Sequence, residues 1–283
     1  MKFVKPLFWK NKNIISMLLY PLSLIVLIIN ELKELNSKQK FLIKTICVGN
    51  TYLGGTGKTS LVIEIQNLIK KEFKTVFIKK NYTNQLDEIN LLKTKGDLIS
   101  KDSREEALFL ALKKKYNLAI LDDGLQQKNI DYDLKIICFN AEDGLGNNYL
   151  LPAGPLRESI NKIKNYDIAF INGEKKNNDL YFKLKSINKR IKIFEGKYKP
   201  LNLKAFNLKK KYLMFCGIGN PHEFEKILVK NKFLIKEKII YPDHYKIPNK
   251  IFNKLKLKAK NENLSLVTTE KDFFRLSKSQ RKN

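Results

Sequence analysis

Histidine, cysteine and acidic side chains are all scarce in this 283-residue chain. Two histidines are too few for a His-rich metal centre. The three cysteines, Cys47, Cys138 and Cys216, stand far apart inside apolar runs. None forms a metal-type or redox-type pair, so buried, reduced thiols are expected. Asp and Glu number 28 against 55 Lys and Arg, a formal net charge of +27. Such a balance favours polyanionic partners: nucleic acid, an anionic membrane face or phosphorylated ligands. Lysine is spread through the whole chain, so part of the excess reflects composition rather than a patch. No recognisable nucleic-acid module accompanies the charge, and a specific nucleic-acid partner is not expected. Internal repeats and long linkers are also missing. Hydrophobic residues make up 43%, enough for one large domain or two modest ones with ample core.

The N-terminus carries the longest uncharged run. Lys2, Lys5, Lys10 and Lys12 precede "IISMLLYPLSLIVLII" (14–29), sixteen residues with Pro21 near the middle. As a helix it would span roughly 24 Å, short of a hydrocarbon core of about 30 Å. The following "NELKELNSKQK" offers no small-residue cleavage site for a signal peptide. Two readings compete: a buried core helix, or a helix lying in the cytoplasmic leaflet with lysines against lipid headgroups. The second is preferred.

After residue 40, strand-like and helix-like segments alternate. "FLIKTICV" (41–48), "TVFI" (75–78), "DLIS" (97–100), "NLAIL" (117–121), "LKIICF" (134–139) and "DIAFI" (167–171) read as strands. Thr59–Phe73 and Ser103–Tyr116 read as helices. That rhythm predicts an α/β fold with a mostly parallel sheet wound with helices. The pattern restarts near Pro200–Lys211. "YLMFCGIGNP", helices from Pro221 and Pro248, "KIIYPDHY" and "LSLVTTEKD" then suggest a smaller α/β C-terminal domain. The expected division is a membrane-associated helix over 1–35, a larger α/β domain over 36–202 and the smaller domain over 203–283.

Three motifs carry chemistry. "GNTYLGGTGKTSLV" (49–62) places a glycine-rich turn between strand and helix, where backbone N–H groups can close around phosphate. Gly54, Gly55, Thr56 and Gly57 form the cradle, Lys58 reaches the β- and γ-phosphates, and Thr59 and Ser60 open the helix. The common P-loop spacing wants glycine where this chain has Tyr52, and an ordinary glycine turn is the rival reading. The paired glycines also look like the MinD-type loop, which carries a lysine where Leu53 stands here. "LAILDDGLQ" (118–126) is an apolar strand ending in Asp122 and Asp123, the place where a P-loop sheet presents its Mg²⁺ acid; a plain turn is the alternative. "LPAGPLRE" (151–158) fixes an irregular loop and presents Arg157, a guanidinium suited to phosphate, or merely a solvated one.

"VGNTYLGGTGKT", "LDDGLQ", "LPAGPLRE", "GIGNP", "PDHY" and "TTEKD" occur in the order found in the tetraacyldisaccharide 4′-kinase (lipid A 4′-kinase) family, which the chain resembles from about residue 6 to 276. The N-terminal "YPLSLIVLI" resembles that family's membrane-associated helix. The family also lacks glycine at the position of Tyr52. The resemblance implies a P-loop NTPase-like fold using ATP and Mg²⁺. Its reaction is phosphorylation of the 4′-hydroxyl of a tetraacyldisaccharide 1-phosphate, the lipid A disaccharide precursor, to give lipid IVA. It further implies monotopic or peripheral attachment to the cytoplasmic face of the bacterial inner membrane, with membrane lipids as partners and no obligatory protein partner.

For the family's catalytic aspartate two placements compete. "QLDEINLL" (85–92) offers Asp87 and Glu88; "SREEALFLA" (103–111) offers Glu105 and Glu106. The first keeps an aspartate and is preferred. On that reading Asp87 accepts the proton of the sugar hydroxyl, with His244 of "PDHY" orienting it. Lys58, Mg²⁺ and Arg157 offset charge on the transferring group, the metal resting on Thr59, Asp122 and Asp123. Tyr82, Glu88 and Gln126 are supporting residues. "KKNY" (79–82) keeps only the tyrosine of the family's Ser-Arg-Gly-Tyr, and Gln127 replaces a usual histidine. "TTEKD" is given no catalytic role. The alternatives are a membrane-associated P-loop switch or ATPase without sugar kinase activity, and a basic nucleic-acid binder.

Overall fold

The computed structural model describes residues 5–32, 37–82 and 85–281. In chain order the first elements are α1 (Ile14–Leu32), β1 (Lys44–Gly49), α2 (Lys58–Ile69), β2 (Thr75–Lys80), α3 (Leu86–Lys95), β3 (Leu98–Lys101), α4 (Arg104–Lys113) and β4 (Leu118–Asp122). Then come β5 (Leu134–Asn140), β6 (Ile168–Asn172), α5 (Asn178–Ile187), β7 (Lys192–Gly196), β8 (Lys211–Cys216) and α6 (Pro221–Lys230). The chain closes with β9 (Leu234–Ile240), α7 (Asn249–Asn261), β10 (Ser265–Val267), α8 (Glu270–Arg275) and α9 (Lys278–Arg281). These form two compact units: Lys5–Asn81 with Lys95–Lys197, and the described parts of Tyr82–Thr94 with Tyr198–Asn283.

In the first unit seven strands form one sheet in the order β3-β2-β4-β1-β5-β6-β7, every described pairing parallel. This is the parallel, helix-wound α/β sheet expected from the sequence. β4 is buried at all five residues, because a central parallel strand is covered on both faces and so reads as an unbroken apolar run. The β1–β4 register sets Val48 beside Asp122. The turns after both strands therefore emerge together at the carboxyl edge, where open parallel sheets bind ligands. All three cysteines are buried and not joined in disulfides, and burial pushes the Cys47 thiol up to about 12.

Helix α1 is inverted relative to a core helix. Its buried residues are Ser16 and Ser23, while Ile14, Leu18, Leu22, Ile25 and Ile28 are each at least half exposed. Only 11% of its most apolar window is buried, and by length and composition it could cross a membrane. Among the described residues the helix is not covered as a core helix would be.

In the second unit β8 lies between β10 and β9, all parallel. The two-residue period of the strand divides its side chains between two cores. Tyr212, Met214 and Cys216 pack with Leu228 and Phe233; Leu213 and Phe215 pack with Phe252, Leu255 and Leu276. The segment Tyr82–Thr94, with most of α3, belongs to this unit although it lies between β2 and β3 in sequence.

Candidate active site

The strand β1 ends at Gly49, where a Cβ would lie 2.7 Å from the Leu125 side chain. The chain then loops through Gly54, Gly55 and the buried Thr56 to Gly57, which caps α2 with φ 87°, a conformation that strains any L side chain. Lys58, Thr59 and Ser60 are the first turn of the helix. Tyr52, where the common spacing has glycine, is 3% exposed and part of the main core. Its backbone bridges Leu156 in antiparallel fashion. A large side chain is therefore a structural member of this loop rather than an obstruction in it.

Lys58 Nζ donates to Asn50 Oδ1 at 2.9 Å and stands 3.6 Å from Asp123 Oδ1. Arg157 Nη2 reaches the same Asp123 oxygen at 3.0 Å, donates to Asn50 O at 2.6 Å, and also contacts Asn50 Oδ1. Burial works against ionisation of Asp123, but the charges of Lys58 and Arg157 outweigh it and hold the carboxyl well below its usual range. Asp123 adopts φ 63°, and its carbonyl accepts from Arg104 Nη2 at 2.5 Å. Gln127 accepts from Arg104 Nη1 at 2.8 Å and donates to Glu105 Oε1 at 2.8 Å. The residue that departs from the family pattern thus braces the strained aspartate. Gln126 donates to Asn50 O at 2.9 Å, and its other partner Glu158 also accepts from Tyr166 Oη at 2.5 Å.

Asp122 lies one strand position away in a different setting. Its Oδ2 accepts from Thr59 Oγ1 at 3.1 Å and from Lys79 Nζ at 2.7 Å, with the Lys79 side chain 2% exposed. Its Oδ1 is buried and without a hydrogen-bond partner. A threonine hydroxyl beside an unpartnered carboxylate oxygen is a hard oxygen set that fits Mg²⁺, a metal that takes few protein ligands and keeps phosphate and water for the rest. Among the described residues no cluster of three or more His, Cys, Asp or Glu could hold a metal ion.

The second cluster is built within the other unit. Asp87, in the first turn of α3, is 3% exposed. Its Oδ1 lies 3.3 Å from His244 Nδ1, and its Oδ2 accepts from Arg275 Nη2 at 2.6 Å and Nε at 3.2 Å. Burial alone would raise this carboxyl; the hydrogen bond from His244, the charge of Lys271 and the Arg275 guanidinium bring it down to about 2. His244 sits at φ 59° on the turn after β9, and its Nε2 is 3.4 Å from Lys271 Nζ. Lys271 also pairs with Glu88 at 2.8 Å. Burial opposes the Lys271 ammonium, but Glu88, Asp243 and Asp87 raise its pKa. Arg275 is itself fixed by Asp272 at 2.7 Å and the Gly217 carbonyl at 2.7 Å. A cavity of about 440 Å³ opens beside Asp87 and His244, lined also by Lys246, Phe274 and Arg281.

The sequence-derived residues therefore fall into two groups: Gly54–Ser60, Asp122, Asp123, Gln126 and Arg157 in one unit, and Asp87, Glu88 and His244, with the 37%-exposed Tyr82, in the other. Glu105 and Glu106, the competing placement, bond to Ser103 and Lys101 respectively, in the unit that lacks His244. Sequence reasoning missed Lys79, Arg275 and the Lys271–Glu88 pair. The one readable signal was the Thr269-x-x-Asp272 box, whose threonine does cap α8 by accepting from Asp272 N.

Comparison with known proteins adds to this geometry. A model of the family described as "Tetraacyldisaccharide-1-P 4′-kinase" matches residues 15–283. The chain is 46% identical over 283 residues to a protein of Pelagibacter ubique (strain HTCC1062) named tetraacyldisaccharide 4′-kinase, covering 98% of this chain and 89% of that one. A protein of the same name from Rickettsia bellii (strain OSU 85-389) is 31% identical, with 98% and 91% covered. Among solved structures, LpxK from Aquifex aeolicus in complex with ATP superposes with a TM-score of 0.66 at 22% identity, covering 93% of this chain and 90% of that one. At that identity the superposition speaks for the fold.

Proposed function

The chain belongs to the tetraacyldisaccharide-1-P 4′-kinase family, and we propose that it transfers the γ-phosphoryl group of ATP to the 4′-hydroxyl of a tetraacyldisaccharide 1-phosphate, forming lipid IVA in lipid A biosynthesis. The observation that carries this reading is the buried, ionised Asp87 held beside His244. A nucleotide switch needs the phosphate loop but has no use for a second, preorganised carboxylate.

Phosphoryl transfer calls for positioning and charge neutralisation more than covalent participation by the protein. The backbone amides of Gly54–Thr59 bind the phosphates of ATP, and Lys58 exchanges Asn50 and Asp123 for phosphate oxygens. Thr59 and Asp122 would hold Mg²⁺, which when bound would supply neutralising charge at those oxygens. Arg157 adds a guanidinium to the same region, where it offsets charge developing on the γ-phosphoryl. The 4′-oxygen forms its bond to the γ-phosphorus as the bond to the β–γ bridging oxygen breaks, and ADP leaves. Asp87 accepts the hydroxyl proton. A carboxylate with a pKa of about 2 is a weak base, suited to a loose transition state in which the alcohol becomes acidic only late. His244 orients that carboxylate through Nδ1, while Arg275 occupies its other oxygen.

The exposed apolar side of α1 suits insertion in a leaflet, and the net positive charge favours an anionic cytoplasmic surface. We place the protein at the cytoplasmic face of the bacterial inner membrane, where acyl chains of the substrate stay in lipid while its sugars reach the enzyme. The test is transfer of radiolabel from ATP to the tetraacyldisaccharide 1-phosphate in detergent micelles. Firm ATP binding without any transfer would remove the kinase reading and leave the nucleotide switch.

A further inference from the structure

Helix α1 meets the rest of its unit along one face, where the buried Ser23 and half-buried Asn30 stand among the half-buried Leu19, Val26 and Leu27. Its directed polar contacts fall largely on one loop. Ser23 Oγ donates to the Leu150 carbonyl at 2.8 Å and accepts from Ala153 N at 3.2 Å, and Ser23 is 2% exposed. Asn30 Nδ2 donates to the carbonyl of Arg157 itself at 3.0 Å. Glu31 pairs with Lys162 at 2.9 Å, and Tyr20 packs on Tyr149 with ring centroids 5.0 Å apart. The segment before the helix does the same: Trp9 Nε1 donates to Pro152 O at 3.1 Å.

The far side of that loop is joined to the phosphate loop. Leu53 N donates to Pro155 O at 2.9 Å and Arg157 N donates to Thr51 O at 2.7 Å, flanking the Tyr52–Leu156 bridge. The Arg157 side chain then ends on Asn50 and Asp123. Residues 150–157 are thus clamped between α1 and the phosphate loop. The Ser23 hydroxyl both donates to and accepts from this loop and Asn30 holds the Arg157 carbonyl, so removing those side chains leaves backbone groups of the loop unpaired.

We propose that α1 is a positioning element for the phosphate site: Ser23 and Asn30 set the backbone of residues 150–157 and thereby the aim of the Arg157 guanidinium. The helix is part of the catalytic framework as well as an anchor. This rests on the kinase reading only for the rate; the effect on nucleotide binding stands apart from it.

The experiment is a double-mutant cycle on the full-length chain. Ser23→Ala and Asn30→Ala are combined and placed in wild-type and Arg157→Ala backgrounds. Magnesium ATP affinity is measured by calorimetry, kcat by radiolabel transfer, and retention on vesicles of mixed zwitterionic and anionic phospholipid by flotation. Loss of these three hydrogen bonds should lower kcat or nucleotide affinity by about tenfold, leave flotation unchanged, and have little further effect once Arg157 is Ala. Ser23→Thr, which keeps the hydroxyl, should retain most of the lost function. Equal losses in both backgrounds, or no loss at all, overturn the proposal. A double variant that does not fold gives way to Ser23→Ala alone, read in the same two backgrounds. A wild-type chain that transfers no phosphate sinks the kinase reading instead, and the affinity cycle still decides on α1.

Discussion

The two clusters hold their carboxylates in the same way but are assembled by opposite means. In the first unit Asp122 and Asp123 stand at the end of β4, directly beside the strand that feeds the phosphate loop, so parallel register delivers them to Lys58 and Thr59. In the second unit Asp87 comes from α3, His244 from a turn after β9 and Arg275 from the end of α8, with 157 and 188 residues separating the bonded pairs. The first arrangement is written into a local strand–turn–helix pattern. The second has no sequence period at all. Yet Asp87 and Asp123 are each kept ionised against burial by two or three neighbouring cations, a costly arrangement that cores avoid and functional sites use.

The sharpest way to break this comparison is to disarm each cluster in turn. Asp87→Asn should lower kcat for transfer by about 10³-fold while magnesium ATP affinity changes by less than about twofold. Lys58→Met should cost a similar factor in kcat and weaken ATP binding as well. Calorimetry beside the transfer assay separates the two, and equal ATP defects in both variants would erase the distinction.

Next in size are effects on stability. Lys79→Met leaves Asp122 buried without its cation and should destabilise the metal-free protein by about 3 kcal/mol, the cost of breaking a buried ion pair. Adding Mg²⁺ with ATP should recover part of it, which thermal unfolding with and without ligand would reveal. Tyr52→Gly restores the common loop spacing yet removes a core ring bridged to Leu156; a loss of about 3 kcal/mol without tighter ATP binding is expected. A gain in affinity would show the tyrosine to be a handicap instead.

The smallest effect concerns acid. Asp87 falls from an ordinary 3.8 to about 2 in the folded chain, so its ionisation contributes stability above pH ~4 that is lost as pH drops towards 2. In Arg275→Gln one source of that depression is gone, and the protonation of Asp87 moves to higher pH. Carboxyl titration followed by carbon NMR should show an upward shift. An unmoved titration would mean that His244 and Lys271 suffice.

Much of the first unit was legible. The strand rhythm, the glycine turn and the apolar strand ending in two aspartates gave its α/β class and most of the residues of its candidate phosphate site, because periodicity and local motifs are short-range signals. The helices were drawn too long: α2 ends at Ile69 and α4 at Lys113, where Lys115 with φ 58° turns the chain away. Strand β7, exposed along much of its length, lacked an apolar run to announce it. Lys79 registered only as a departure from a family pattern, since nothing in "KKNY" says that its first lysine will be buried against Asp122. Asp87 and His244 were found through resemblance. Arg275 and Lys271 were not found, because each gains its meaning from a partner far away in the chain.

The alternating α/β pattern, the glycine cradle with its Lys-Thr and adjoining aspartates, and a long uncharged apolar segment near the N-terminus are all written in the amino-acid order, because each depends on neighbours within a few residues. Folding alone settled that the apolar side of that segment stays uncovered, which face of α1 is bound, which loop that face grips, which lysine is buried against Asp122, and which side chains surround Asp87. Those outcomes depend on hydrogen bonds and charges brought together by folding, and no local propensity encodes them.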